Sequence, residues 1–340
     1  MVEKMKPVLV IGHGLAGAIL AQSLLMKGIM VQCMDAGVKY AASSVAAGLI
    51  NPFIGPKLNK PEEYDECIEA NLAFFQKWEI EVGEKLFHLE NLLRVFTSEK
   101  QVSKWIELSE YSAEALSFLD KEKLDNCGIS GKWGAGRTQA YRLHIQRFIA
   151  LSKERLISMN CWRNESEIDI KDKSVSAIIF AEGFNVIENP FFSWLPFAPA
   201  QGEILELHGP AFPSSSNGTW FIPGADGNYL AGSTWKHSDL KSGPTLVAKK
   251  EIRRNLNYVP IEMFNEINHF SGIRSGTKDR NPILGKHPEH KNLFIFNGFG
   301  SRGSTTIVLN ANRLINLLVR ERELPLKVSL KRFTEYYNDT

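Results

Sequence analysis

PVLVIGHGLAGAILAQSLLMKGIMVQCMD, residues 7–35, decides the fold. Pro7 to Ile11 is a short β-branched apolar run, the pattern of a buried strand. Glycines follow at once, and Ile19, Leu20, Leu24 and Leu25 then recur at helical spacing up to a stop near Gly28. Met30 to Met34 is a second apolar strand, ended by Asp35. The stretch therefore reads as a complete β-α-β unit. Its strand-to-helix turn is Gly12-His13-Gly14-Leu15-Ala16-Gly17. Gly12 permits the tight turn, Gly14 lets a pyrophosphate approach bare backbone, and Gly17 lets helix and strand pack closely. The helix N-terminus supplies N–H donors and a favourable dipole for phosphates. Asp35, 18 residues after Gly17, suits hydrogen bonding to a ribose and disfavours a 2′-phosphate, hence NADP. The unit predicts dinucleotide binding and does not by itself separate FAD from NAD. Directly after it comes Ala41 to Pro52, AASSVAAGLINP. Its small residues suit close approach to a flat ring, and Ser43 and Ser44 offer hydroxyls; a surface loop is the alternative.

The spacing predicts long amphipathic helices over 62–82, with Ile68, Leu72, Phe75 and Trp78, and over 98–119, with Trp105, Leu108 and Leu116. Another helix is expected over 138–156 and a strand over 176–181. Residues 191–270 alternate apolar runs with Pro and Gly (QGEILEL, TWFIPG, NYLAGST), which predicts an antiparallel sheet. A last helix over 305–320 closes the chain. With 340 residues, 44% hydrophobic and 23% charged, the composition is that of a globular protein and excludes a disordered or fibrous one. The net charge of +2 conceals an asymmetry: residues 1–240 hold 23 basic and 29 acidic side chains, residues 241–340 hold 17 and 9. The basic residues of the last third are scattered, as on a solvated surface, although an anionic partner such as RNA is the other reading. Cys33, Cys67, Cys127 and Cys161 form no CxxC pair and no zinc spacing, so no metal site is expected and a cytoplasmic location is. The N-terminal apolar stretch is interrupted by His13 and Gln22, unlike a signal peptide, and no run reaches the roughly 18 apolar residues of a membrane span.

Five segments occur in order: GHGLAG with Asp35; SSVAAGL; AEGF at 181–184; AQGEILEL followed by GNYLAGST; and GIRSGTKDRNPILGKHP leading to FNGFGSRGST. Through them the chain resembles the D-amino-acid oxidase superfamily of FAD-dependent oxidoreductases, nearest its glycine oxidase branch and the oxidase half of the bifunctional tRNA wobble-uridine enzymes called MnmC. The resemblance implies an α/β fold in which a Rossmann-type FAD-binding domain (1–60, 137–190 and 271–340) carries an inserted antiparallel-sheet plus helix substrate domain (61–136 and 191–270). It implies that Leu15, Ala16, Asp35, Ala36 and Ser43, with Gly12, Gly14, Gly17 and Ser44 around them, bind the adenosine and pyrophosphate end of FAD. Ala47, Gly48 and Leu49 are expected along the isoalloxazine, and Phe299, Gly300, Ser301, Arg302, Gly303, Ser304 and Thr305 around its pyrimidine edge. Arg274 matches the arginine that holds a substrate carboxylate; on the residues alone, a salt bridge to Asp279 is the competing reading. Arg302 is expected near either substrate or flavin. No cysteine follows Cys161, so FAD is expected to be noncovalent.

The implied activity is hydride transfer from the α-carbon of a small or N-substituted amino acid to flavin N5, with the imine hydrolysed and electrons passed to O2 or another acceptor. No catalytic protein base is expected, and His13, His144 and His237 carry no assigned role. Two other readings stand beside it. One is the same chemistry on the carboxymethylaminomethyl group of a tRNA wobble uridine, the other a non-oxidase FAD protein.

Overall fold

The unit read from residues 7–35 forms as β1 (Val8–Ile11), α1 (Leu15–Met26) and β2 (Val31–Met34) in the computed structural model, which describes residues 6–111, 116–164 and 169–338. The chain continues through β3 (Leu49–Ile50), α2 (Tyr64–Val82), β4 (Phe87–Val95), α3 (Glu99–Tyr111), β5 (Ser117–Leu119), α4 (Lys121–Asn126), β6 (Ala135–Leu143), α5 (Ile145–Ser158) and β7 (Ala177–Phe180). It then forms β8 (Ala200–His208), β9 (Ser215–Ser216), β10 (Trp220–Pro223), β11 (Tyr229–Gly232), α6 (Leu246–Asn255) and β12 (Asn265–Arg274). It ends with β13 (Ile283–Lys286), β14 (Leu293–Asn297), α7 (Gly303–Arg320) and α8 (Thr334–Asn338).

Two sheets result. In the five-stranded sheet, ordered β13-β14-β7-β1-β2, the last four strands run parallel and β13 is antiparallel to β14. All four residues of β1 are buried, as a central parallel strand requires. Helix α1 is buried on most of its surface because α5 and α7 pack on it, which is why its apolar residues are not confined to one stripe. The nine-stranded sheet runs β12-β8-β11-β10-β9-β4-β6-β3, with β5 attached to β6. One of its faces carries Leu92, Ala140 and Ile222 against Ala47, and the other carries Leu93, Leu205, Phe221 and Ala231 beneath α4 and α6. Helix α2 packs on α7, and Asn71 Nδ2 donates to the carbonyls of Ser304 (3.3 Å) and Thr305 (2.9 Å). That contact fixes the first turn of α7.

The structure corrects several expected elements. Residues 138–143 belong to β6, paired with β4, and the helix expected there begins only at Ile145. The helix expected over 98–119 ends at Tyr111; residues 112–115 lie outside the described residues, and Ser117–Leu119 is a strand. Helix α6 interrupts the antiparallel region, and a 3-10 turn (Leu330–Phe333) and α8 follow α7. Among the described residues no helix is long and apolar enough to cross a membrane.

Candidate cofactor and substrate cavity

A cavity of about 630 Å³ opens where the C-terminal ends of β1, β2 and β7 meet the nine-stranded sheet. At its floor Gly12 adopts φ +96°, and a Cβ there would lie 2.5 Å from the Ala181 carbonyl oxygen. A Cβ on Gly14 would lie 2.9 Å from Ser43 Oγ, so the turn is bare backbone by necessity. Helix α1 starts from Gly14 with no side-chain cap and no acid in its first turn. Its N–H groups and the positive end of its dipole are left for an anion, which fits a dinucleotide diphosphate. Gly17 does not line the cavity; a Cβ there would lie 1.8 Å from the Gly12 carbonyl oxygen, so it serves strand-to-helix packing.

Asp35 stands exposed at the rim and accepts from the backbone N–H of His13 (3.0 Å) and Gly37 (3.3 Å). Burial pushes the His13 imidazole down to about 4, and its Nε2 lies 3.0 Å from Ser152 Oγ. Leu15, Ala16, Ala36, Ser43, Ser44, Ala47, Gly48 and Leu49 all line the cavity. Ser44 Oγ donates to the Ala41 carbonyl (2.7 Å), which engages its proton locally.

Arg274, the last residue of β12, reaches the cavity wall. Its Nη2 donates to Ser233 Oγ (2.6 Å), its Nη1 to the Thr234 carbonyl (3.2 Å), and its guanidinium lies 4.6 Å from the Trp235 ring centre. The group is largely enclosed by protein, and this desolvation lowers it to about 10. Gly202 makes room for it, since a Cβ there would fall 2.2 Å from Nη2. Asp279 pairs instead with Arg332 at 2.9 Å, which removes the salt bridge considered from sequence.

Phe299, Gly300, Ser301, Gly303 and Ser304 line the far wall, where α7 begins without a side-chain cap. Two predicted residues lie elsewhere. Arg302 is absent from the lining and its Nη2 donates to the Arg280 carbonyl (2.6 Å), while Thr305 is buried in α7 against Asn71. Several lining residues escaped the sequence reading: Glu182, Gly202, Trp220, Ser233 and Asn297. Asn297 ties the site together, accepting from Ser275 Oγ (2.8 Å) and donating to the Gly183 carbonyl (2.9 Å). Its place inside FNGFGSRGST was the available signal.

A family model described as FAD dependent oxidoreductase, DAO, matches residues 7–317. The chain is 26% identical over 325 residues to the tRNA 5-methylaminomethyl-2-thiouridine biosynthesis bifunctional protein MnmC of Maricaulis maris, covering 92% of this chain and 52% of that protein. It thus spans about half the length of that relative. It is 24% identical over 331 residues to the glycine oxidase of Pseudomonas putida, covering 85% of this chain and 88% of the relative. Among solved structures, iminodiacetate oxidase from Chelativorans sp. BNC1 superimposes with a TM-score of 0.78 at 20% identity, covering 95% and 99% of the two chains. Glycine oxidase from Geobacillus kaustophilus gives 0.77 at 19% identity, covering 95% and 97%. Both likenesses speak for the fold.

Proposed function

Because the chain belongs to the DAO family of FAD-dependent oxidoreductases, which act on amino acids or amines, we propose that it oxidises a small amino acid or N-substituted glycine held by its carboxylate at Arg274. One observation carries this reading: Arg274 is the only lysine or arginine among the residues lining the cavity, and no carboxylate lies within ion-pair distance of it among the described residues. A largely enclosed guanidinium stacked on Trp235 gains most from a ligand that accepts two N–H bonds in one plane, which is the geometry of a carboxylate.

When bound, FAD supplies an acceptor for hydride at flavin N5 and a route for electrons to dioxygen or another acceptor. The chain's own task is to hold the substrate C–H bond in line. Its lining has no obvious base at the substrate end: His13 is buried and hydrogen-bonded to Ser152, and Asp35 and Glu182 sit at the ends of β2 and β7. This supports uptake of the substrate as the neutral amine, with no proton passed to a side chain. The cofactor contacts inferred for the lining residues, the noncovalent state of FAD, and the division into FAD and substrate units are parts of the same proposal.

Arg274→Ala is expected to weaken substrate binding by about 2–5 kcal/mol, roughly 30-fold to several thousand-fold, with lysine restoring only part. FAD content should not change. Anaerobic bleaching of the flavin at varied substrate concentration measures the affinity; an alanine variant that binds as the parent does overturns the carboxylate clamp. The likeness to MnmC over 92% of the chain and the basic last third favour a second substrate of the same chemistry, the carboxymethylaminomethyl group of tRNA uridine. Peroxide release with glycine, sarcosine and D-amino acids, beside nucleoside analysis of treated tRNA, decides between them. No turnover of any would point to a non-oxidase FAD protein.

A further inference from the structure

Glu182 follows β7 at the cavity wall, and the chemistry above gives it no task. Its Oε2 accepts from Asn189 Nδ2 at 2.7 Å, and Oε1 has no donor among the described residues. The residue lies against the turn that bares its backbone to the cavity: a Cβ on Gly12 would come within 3.1 Å of Glu182 Cα. Burial holds its carboxyl above the usual carboxylate range, and the Asn189 hydrogen bond opposes this only in part.

The charged groups on the surrounding elements do not neutralise it. His13, on the β1–α1 turn, is pushed down to about 4 by burial. Asp35, after β2, is another acid. On its own segment Glu188 pairs with Lys241 at 3.3 Å, and that ammonium lies 5.8 Å from the Phe184 ring centre. Beyond Asn297, Arg302 turns away to the Arg280 carbonyl. An ionised Glu182 would therefore face an anionic diphosphate with no cation between them, whereas a protonated one is a hydrogen-bond donor.

We propose that Glu182 is a cofactor-binding residue that works as the neutral acid, its carboxyl O–H donating to an oxygen of the diphosphate bridge, so that FAD binds together with a proton. The proposal rests on the FAD assignment. Above the carboxyl's pKa in the free protein, binding must first reprotonate it, so affinity falls with rising pH by at most about tenfold per unit.

The test is the affinity of the apoprotein for FAD, read from quenching of flavin fluorescence between about pH 5 and 9, in the parent and in Glu182→Gln. The parent should lose affinity as pH rises. The glutamine variant, which keeps a donor and cannot ionise, should bind with a flat profile and more tightly than the parent at the alkaline end. Calorimetry in buffers of different ionisation enthalpy should show proton uptake by the parent alone. Identical pH profiles overturn the proposal. Weaker binding by the variant at every pH also overturns it, because Glu182 would then act as an ionised acceptor for a sugar hydroxyl. If neither protein binds FAD, although both melt cooperatively, the cofactor assignment itself fails.

Discussion

Gly202 shows how one missing methyl group can set the position of a guanidinium. It pairs with Gly272 across the β8–β12 ladder, diagonal to Arg274, and a Cβ would lie 2.2 Å from Nη2, 2.3 Å from Nη1 and 2.4 Å from Cζ of that arginine. The atoms in the way are the far end of a flexible side chain, so Gly202→Ala should displace the guanidinium from Ser233 and Thr234 without unfolding β8. Substrate affinity is expected to fall at least about tenfold while FAD content holds; an unchanged KM would show that the fork's position is immaterial. His13 offers a second reading at this scale. Its folded pKa, about 4, lies below the ordinary 6.5 chiefly through burial. The unfolded chain therefore binds the proton more readily. The stability His13 contributes is full above its ordinary pKa and is lost as pH falls through the folded value, by roughly 3 kcal/mol at most. Urea unfolding of the apoprotein at about pH 7 and about pH 4.5 should show that loss, and His13→Gln should show less of it. Equal losses would place the acid sensitivity elsewhere.

The elements that were legible in the sequence are those whose signals are local. β1, α1 and β2 declare themselves through three glycines at fixed spacing and an apolar run on each side. Gly17 is the point where that local signal becomes tertiary, since its Cα faces the Gly12 carbonyl oxygen, a backbone atom that cannot swing aside. Gly17→Ala should therefore lift α1 from β1, cost about 1–3 kcal/mol, and lower FAD content with it. Thermal melts and flavin absorbance measure both; a variant with parental melting temperature and colour would refute the close-packing role. β6 was not legible. Its buried positions include Thr138 and Arg142, whose burial is decided by distant partners: β4 along its length and the Ala47 carbonyl, to which Arg142 Nε donates at 3.3 Å. Helix α6 buries only Ala248 and Ile252, too few apolar residues for a visible stripe, and is started by a Thr245 cap that Glu203 of β8 holds in place. The site divides the same way. The glycine-rich turn could be read directly and Arg274 through a long motif, but Gly202, Ser233 and Asn297 acquire their meaning only when β8, β11 and β14 are brought together. Arg302 shows the converse: its motif position is next to the cavity, yet its side chain leaves it for a carbonyl that only the fold brings near.

At the scale of the molecule, the cavity is a seam. Its walls come from the ends of β1, β2 and β7, from β8, β10 and β12 of the larger sheet, and from the start of α7, so a dinucleotide bound there touches parts of the chain far apart in sequence. Ligand that binds only the folded state stabilises it by mass action, by about 2.7 kcal/mol when free FAD stands at 100 times its Kd. For a chain of this size that corresponds to a rise of roughly 4 °C in melting temperature. The attachment should be noncovalent. No cysteine or tyrosine lines the cavity among the described residues, and the one lining histidine, His13, is buried and engaged with Ser152. Stripped apoprotein titrated with FAD should therefore melt higher in proportion to the logarithm of FAD concentration once the site is saturated, and acid should release the whole of the flavin as intact FAD. NAD at the same concentrations should leave the melting temperature unchanged. A shift with NAD and none with FAD would overturn the cofactor. Flavin retained by the precipitated chain would instead overturn only the noncovalent state, and would direct the search to a nucleophile outside the lining described above.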